Sequence, residues 1–198
     1  TALAKGPLAT ARKWLVAAGN KDYGWYAGGN DSSDTSVVER LDFGNDTATA
    51  SARGPLTQVG PGAKRWVMAA GNANYGYFAG GESPVTSVIS RIDYSSDSPT
   101  ATPKGNLNTS RYGGAATGNK DYGYVAGGNP SPAKSIVQRI DYANDTATAL
   151  AKGPLSAGRK YFGATGNINF GYWAGGHPDP GPKLSTVDRI DYSNDTAT

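Results

Sequence analysis

The hydrophobic positions of the chain fall in short segments that are separated by turns rich in glycine, asparagine and aspartate. The first four segments are residues 12–18, 23–27, 36–43 and 47–53. None has the period or the length of an ordinary helix. Gly19-Asn20 and Asn45-Asp46 have the composition of tight turns. The pattern therefore predicts short antiparallel strands joined by hairpins.

These four segments recur along the whole chain. The double glycine that ends the second segment is found at positions 28–29, 80–81, 127–128 and 175–176, which gives four copies. A unit of four antiparallel strands repeated around an axis is a propeller blade. The sequence therefore predicts an all-β fold, a four-bladed β-propeller of four-stranded antiparallel blades in one domain, 1–198. The predicted blades are about 9–54, 57–105, 108–153 and 156–198, the last completed by residues 1–6.

The two ends of the chain predict how the ring closes. Joined together, residues 195–198 and 1–8 approximate residues 146–155. We therefore expect the N-terminal segment to pair as the missing outer strand of the fourth blade, which would remove an exposed sheet edge. The alternatives are an open fragment of a longer array and two chains that meet in an eight-bladed ring. The start at Thr1, without a methionine, suggests a processed product or an excised piece.

The amino-acid sequence of each copy resembles kelch repeats. A strand ends in Gly-Gly, a later strand carries an Asp-aromatic pair, and a Gly-Pro-Leu-like bend precedes an arginine that opens the next inner strand. The resemblance covers the whole chain and implies the propeller fold of galactose oxidase and the kelch adaptors. The sequence departs from the kelch pattern in three respects. The pair in the third strand is Asp-Tyr rather than Tyr-Asp, the tryptophan of the fourth strand is replaced by Thr-Ala-Thr, and there are four copies where kelch rings usually have more. The wording RIDYxNDTATAxxKGPLxxxR with YGYxAGG also resembles repetitive virion and tail-associated proteins of marine bacteriophages.

Composition excludes several kinds of site. The chain has no cysteine and a single histidine, His177, so we expect no disulfide, no metal and no cofactor. It also lacks the cysteine and the histidines that form the copper site of galactose oxidase. The 19 basic and 16 acidic residues are interspersed, without the basic stripe of a nucleic-acid partner. No run of apolar residues is long enough to predict insertion in a membrane. The Asn-Asp turns lack the alternating acidic spacing of a calcium loop.

Strand parity predicts where variation and binding would lie. The loops between second and third strands emerge on the same face as the links to the next blade, and these loops differ most between copies: 30–34, 82–86, 129–134 and 177–183. The link at 58–62 is also lengthened. Binding residues are usually placed on loops of a rigid scaffold, although drift on an unused face would look the same. The candidate ligand-binding residues of these loops are Asp31, Asp34, Glu82, Lys134, His177 and Asp179.

Repeated charges form a second set of candidates. The inner segments open with Arg12, Lys64, Arg111 and Arg159. These cations would ring one end of the central channel and suit a carboxylate, phosphate or sulfate group; the alternative is that each pairs with a carboxylate of a neighbouring blade. In the third segment an arginine and an aspartate lie two residues apart, on one face of the strand. We expect these to be structural pairs: Arg40 with Asp42, Arg91 with Asp93, Arg139 with Asp141, and Arg189 with Asp191.

Two classes of function remain. The first, which the sequence favours, is a non-enzymatic binding or structural module, virion-associated or extracellular, that engages a host surface glycan or another virion protein through the variable loops. Aromatic residues near that face would stack on sugar rings. The second is a glycosidase or lyase, which would need an acid-base pair found at one site rather than copied in every blade. The sequence leaves the oligomeric state open.

Overall fold

The computed structural model describes residues 1–57 and 64–197. Within these ranges the strands form four antiparallel sheets of four strands each, and helical structure amounts to two short turns, Phe43–Asn45 and Tyr142–Asn144. The chain is therefore an all-β propeller of four blades, which confirms the predicted fold class. The lengthened link predicted at 58–62 lies outside the described residues.

Each blade is one sheet whose four strands are paired in chain order. Blade 1 contains β1 (Val16–Gly19), β2 (Tyr23–Ala27), β3 (Val38–Asp42) and β4 (Ser51–Arg53). Blade 2 contains β5 (Met68–Gly71), β6 (Tyr75–Ala79), β7 (Ile89–Asp93) and β8 (Thr102–Pro103). Blade 3 contains β9 (Ala115–Gly118), β10 (Tyr122–Ala126), β11 (Val137–Asp141) and β12 (Leu150–Lys152). Blade 4 contains β13 (Gly163–Gly166), β14 (Phe170–Ala174), β15 (Val187–Asp191) and β16 (Thr196–Ala197).

The turn between the first two strands of each blade is built by its asparagine. The Asn119 side-chain oxygen accepts hydrogen bonds from the backbone N–H groups of Asp121 and Tyr122, both at 2.9 Å. The same pair of bonds is made in the other three blades by Asn20, Asn72 and Asn167. Because these side chains satisfy the turn's own donors, the repeated Gly-Asn is explained by local folding.

The glycine in the second strand makes room for an aromatic side chain of its own blade. A Cβ built on Gly123 would lie 2.6 Å from the Tyr142 hydroxyl, and one on Gly171 would lie 2.6 Å from the Tyr192 hydroxyl. Any larger residue would displace the tyrosine, since protein interiors are close-packed. The glycine of the Tyr-Gly-Tyr sequence is therefore required for packing within the blade.

In the described part of the chain, three hydrophobic cores lie between consecutive blades. Each is centred on an aromatic of the second strand that stacks on an aromatic of the following blade. The stacked pairs, with their ring-centroid separations, are Trp25 and Tyr94 at 3.8 Å, Tyr77 and Tyr142 at 4.5 Å, and Tyr124 and Tyr192 at 4.8 Å. The aromatic residues at these positions therefore hold neighbouring blades together.

The double glycine also joins consecutive blades. Its second N–H donates to the carbonyl that opens the next inner segment, from Gly29 to Lys64 at 2.8 Å, from Gly81 to Arg111 at 2.9 Å and from Gly128 to Arg159 at 2.8 Å. The glycines have positive φ, which side chains rarely adopt. The Gly-Gly pair is thus required by the contact between blades as well as by the turn.

The N-terminal segment lies elsewhere than predicted. The Gly6 N–H donates to the Asp46 carbonyl at 2.7 Å, and the Ala50 N–H donates to the Pro7 carbonyl at 2.9 Å, so residues 6 and 7 lie on blade 1. The fourth strand of blade 4 is β16, which pairs with Ile190 and Asp191. The prediction that residues 1–6 complete the fourth blade is therefore corrected. The Gly6 bond repeats the bonds by which Gly54 and Gly105 join the blade that follows them. The difference is that residues 2–5 are exposed and do not pair with β15, because blades 4 and 1 do not meet.

Blades 4 and 1 stand apart. Among residues 1–57 and 64–197, no hydrogen bond or ion pair joins blade 4 to blade 1. Their facing surfaces are accordingly exposed: Val187 is 59% accessible, whereas its counterparts Val38 and Val137 are fully buried. We call this gap the open seam.

Candidate functional site

The four basic residues that open the inner segments lie inside their own blades. The Arg12 guanidinium pairs with Glu39 at 2.9 Å, and the Arg159 guanidinium pairs with Asp188. Arg111 is fully buried and donates to Gln138 and to three backbone carbonyls. The predicted ring of cations at the channel end is therefore wrong, because these side chains are covered by strands two and three. The alternative, a carboxylate partner in a neighbouring blade, is also wrong: Arg12 and Arg159 pair with carboxylates of their own blade, and Arg111 bonds to Gln138 of its own blade.

Lys64 differs from the other three because its acceptor is missing. Ser90 stands where the other blades have Glu39, Gln138 or Asp188, and its hydroxyl is too short a partner. Both Lys64 Nζ and Ser90 Oγ are buried without a hydrogen-bond partner in the described structure. Burial lowers the pKa of the Lys64 ammonium to about 8. Lys64 thus destabilises the fold at neutral pH, where it carries an unpaired charge.

Replacing Lys64 with methionine is expected to stabilise the protein at pH 7 by about 2 kcal/mol. In the wild type, between pH 8 and 10, the unfolded chain keeps a proton that the folded chain has released, so the free energy of unfolding rises with pH. The Lys64→Met variant should lack this rise. Urea unfolding at several pH values measures both effects, with Lys21→Met, at an exposed lysine, as control. Parallel pH profiles for wild type and variant would contradict the prediction.

The arginine and aspartate of the third strand do not pair with each other. Asp42, Asp93, Asp141 and Asp191 each accept a backbone N–H in the turn that follows their strand. Arg40, Arg91 and Arg139 reach an aspartate of the next blade instead, while Arg189 lies over the Phe170 ring. The prediction of a structural role stands, but the pairing within one strand is wrong, because two residues on one strand face also face the neighbouring blade.

An aspartate in the turn before the fourth strand gathers three donors from the preceding blade. Asp145 accepts from the Tyr77 hydroxyl at 2.9 Å and from Arg91 at 2.7 Å, and it pairs with Lys104 at 3.1 Å. Burial acts to raise the pKa of Asp145, but the bonds from Lys104 and Tyr77 and the charge of Arg91 outweigh it, so the net shift is downward. We call each such group an aspartate cluster. The other two are Asp97 with Trp25, Arg40 and Arg53, and Asp195 with Tyr124, Arg139 and Lys152.

Four aromatic side chains meet on the axis at the end of the inner segments. Trp66 stands among Trp14, Tyr112 and Tyr161, with ring-centroid separations of 4.8, 5.6 and 5.4 Å. Backbone bonds run around the axis at this level, from the Trp66 N–H to Trp14, from Gly113 to Trp66 and from Tyr161 to Gly113. We call this group the aromatic mouth. It closes one end of a central cavity of about 320 Å³ that all four inner strands line.

The backbone at the aromatic mouth is strained. Trp14, Trp66 and Tyr161 have φ values of 61°, 53° and 57°, in the left-handed region. The third copy has Gly113 at this position, with a φ of 66°, as expected where a residue without Cβ is preferred. Three large aromatics in this conformation cost about 1 kcal/mol or more each. Such strain, concentrated at one place, favours a functional reason for the aromatic side chains.

Charged residues of the variable loops surround the aromatic mouth. Arg65 lies over the Trp66 ring, 4.7 Å from its centroid, and its guanidinium pairs with Glu82 at 2.8 Å and with Asp34 at 3.5 Å. The bond to Glu82 raises the pKa of Arg65. On the opposite side, Lys160 pairs with Asp179 at 2.9 Å and lowers the pKa of that carboxyl. The structure thus brings Asp34, Glu82 and Asp179, three of the predicted loop residues, to one site.

The other three predicted loop residues are placed less centrally. Asp31 is exposed and accepts the backbone N–H groups of Ser33 and Ser32, which lower its pKa. Lys134 contributes its backbone to the fold, since its carbonyl accepts a hydrogen bond from the Arg159 N–H. His177 is half-buried and lines a second cavity of about 610 Å³ beside Tyr161 and Lys183, at blade 4. Among the residues that the structure describes, no group of three or more acidic or histidine side chains could hold a metal.

The sequence reasoning missed the aromatic mouth as a unit. It predicted that aromatics near the variable face could stack on sugars. It did not predict that the aromatics directly after Lys13, Arg65 and Lys160 lie on the axis. The signal was present, since Trp14, Trp66 and Tyr161 occupy equivalent positions. The described part of the chain contains no helix that could span a membrane.

Fold and site together define a β-propeller with a loop-lined aromatic mouth. Compared with known proteins, the chain matches no family model and no curated protein. Among solved structures, that of YjhT superposes with a TM-score of 0.74 at 12% identity, over 93% of this chain and 67% of that chain. This similarity supports the propeller fold alone. The resemblances to kelch repeats and to bacteriophage proteins stay predictions.

Proposed function

We propose that the chain is a non-enzymatic binding module whose aromatic mouth binds a glycan. The observation that carries the proposal is the exposure of Trp14 and Tyr161, at 38% and 49%, around a central Trp66. Flat aromatic faces at a concave, loop-lined position suit the apolar faces of sugar rings. The surrounding carboxylates and amines supply hydrogen bonds to hydroxyl groups.

The charge arrangement supports binding over catalysis. A glycosidase needs one carboxyl group with a raised pKa as the acid. At the aromatic mouth, Glu82 and Asp34 pair with Arg65, and Asp179 pairs with Lys160. The bond from Lys160 lowers the pKa of Asp179, which is opposite to the shift that a general acid needs. Held in these ion pairs, the three carboxyl groups are placed as fixed acceptors.

The setting we propose is the tail or capsid of a virion, or another extracellular surface, with the glycan on a host cell. The support is the resemblance of the repeat wording to virion-associated proteins. Another virion protein is the alternative partner. Detection of the chain in purified particles would support the virion setting, and binding of a glycan by the isolated protein would then favour the glycan over the virion protein as partner.

Substituting Tyr161 with glycine is expected to weaken glycan binding about tenfold or more, because the loss of one stacked ring corresponds to about 1.4 kcal/mol or more. Glycine relieves the left-handed strain, as Gly113 does in the third copy, so folding should be preserved. A glycan array first identifies the ligand, and calorimetry with the soluble oligosaccharide measures the effect. Trp14→Gly should behave in the same way.

The control is Ile168→Ala. Ile168 is an exposed hydrophobic side chain, 73% accessible, in the turn between β13 and β14 at the opposite end of the blades. Its loss should leave glycan affinity unchanged. Equal losses at Tyr161 and Ile168 would contradict the proposed site. Release of sugar from a polysaccharide that is abolished by Glu82→Gln or Asp179→Asn would show the alternative, an enzyme.

A further inference from the structure

Both halves of a fourth interface between blades are present at the open seam. The three aspartate clusters show what an interface contains: a tyrosine or tryptophan of the second strand, an arginine of the third strand, and an aspartate of the next blade. By repeat position, the fourth set is Tyr172, Arg189 and Asp46. Among the described residues, the Asp46 carboxylate pairs with Lys5 alone, Arg189 lies over the Phe170 ring without an ion pair, and the Tyr172 hydroxyl makes no hydrogen bond.

The apolar and glycine contacts are missing in the same way. Phe43 occupies the position of Tyr94 and Tyr192, which are buried in a stack, yet it is exposed. A Cβ on Gly127 would lie 2.6 Å from the Arg159 carbonyl of the next blade, whereas one on Gly175 would meet only Leu184, at 3.6 Å. Each surface of the open seam therefore carries the residues that bury the corresponding surface elsewhere in the chain.

The outer strand of blade 4 also has a donor. Residues 2–8 have the sequence ALAKGPL, identical to residues 149–155. In blade 3, Leu150, Ala151 and Lys152 of this sequence pair with β11. In blade 4, β16 pairs only with Ile190 and Asp191 of β15, while residues 2–5 are exposed. An unpaired edge and an unpaired strand of the right sequence are complementary.

We propose that the open seam binds a second copy of this chain, head to tail. Blade 1 of one copy lies against blade 4 of the other, so that Asp46 accepts from Arg189 and Tyr172 of the partner copy and residues 3–5 add to β15. The interface is heterologous, since the two surfaces differ. It continues the repeat of the three interfaces inside the chain. Two copies joined at both seams form a ring of eight blades.

The test is the mass in solution of charge-reversed variants, alone and mixed. The wild type, whose chain mass is 20.4 kDa, should give twice that mass by light scattering. Arg189→Asp and Asp46→Arg should each weaken association about a hundredfold or more, because like charges then face each other at both seams. An equimolar mixture of the two variants should recover the double mass, since one seam regains its opposite charges with the signs exchanged and the other has the native pair.

The mixture separates association from closure within one chain. A ring closed by its own blade 1 would give a monomeric wild type and no recovery on mixing, and either result would overturn the proposal. Lys120→Asp, at an exposed lysine of blade 3, which does not border the seam, is the control and should keep the double mass. Thermal unfolding of each variant establishes that the monomers are folded.

Discussion

Replacing Asp145 with alanine is expected to lower the free energy of unfolding by about 3–5 kcal/mol, because removing one partner leaves buried charges and a hydroxyl without an acceptor. Tyr77, Arg91 and Lys104 all direct donors at this carboxylate. The loss would remove one set of contacts between blade 2 and blade 3. Urea unfolding measures it. The control is Asp121→Ala, whose carboxylate pairs with Lys120 in an exposed turn and should contribute less than about 1 kcal/mol.

The pH dependence gives a second measure of the same cluster. The pKa of Asp145 is lower in the folded chain than its ordinary value of 3.8. Its contribution to stability is therefore fully present above pH 4 and is lost as the pH falls through the folded pKa. The wild type should lose stability in that acid range more steeply than Asp145→Ala. If Asp145→Ala and Asp121→Ala were equally mild, the aspartate clusters would not hold the blades together.

Replacing Gly80 with alanine is expected to cost about 3 kcal/mol or more, through strain and overpacking together. Gly80 has a φ of +67°, and a Cβ there would lie 2.3 Å from the Arg111 carbonyl of the next blade. The blades would have to move apart to admit it. Thermal or urea unfolding gives the loss in stability.

Gly175 offers the matched control, since it is the same position in blade 4. Its φ is +73°, but the nearest atom to a built Cβ is the Leu184 carbonyl at 3.6 Å. Gly175→Ala should therefore cost only the left-handed strain, about 1 kcal/mol, when measured at a concentration where the chain is monomeric. Equal losses for the two variants would mean that the interblade contact at Gly80 is unimportant.

Much of the fold could be predicted because the repeat shows which residues recur at each strand and turn. The Gly-Asn turns, the Gly-Gly pairs and the alternating segments specify strands and their order, and strand parity correctly places the variable loops at one end. Asp34 and Glu82, from different copies, indeed meet at Arg65. What sequence reasoning could not supply was the direction of a side chain relative to a neighbouring blade.

The errors have one physical origin. Alternation shows that Arg40 and Asp42 share a strand face, but the twist and spacing of the blades decide that Arg40 reaches Asp97 while Asp42 bonds within its own turn. Likewise, a basic residue at the start of an inner segment could point along the channel or between strands. The buried acceptors Glu39 and Asp188 direct the arginine side chains between the strands rather than along the channel. Repeat position alone carries no information on this choice.

The aspartate clusters have a consequence for how the chain folds. Each cluster links blades that are consecutive in sequence, with partners such as Tyr77 and Asp145 separated by 68 residues. In the described structure no bond requires the first and last blades to meet. A blade leaving the ribosome can therefore dock onto the one before it while the next is being synthesised, since domains and repeats form from the N-terminus as the chain emerges. The unit of folding is then a pair of blades, and the order of synthesis is also the order of assembly.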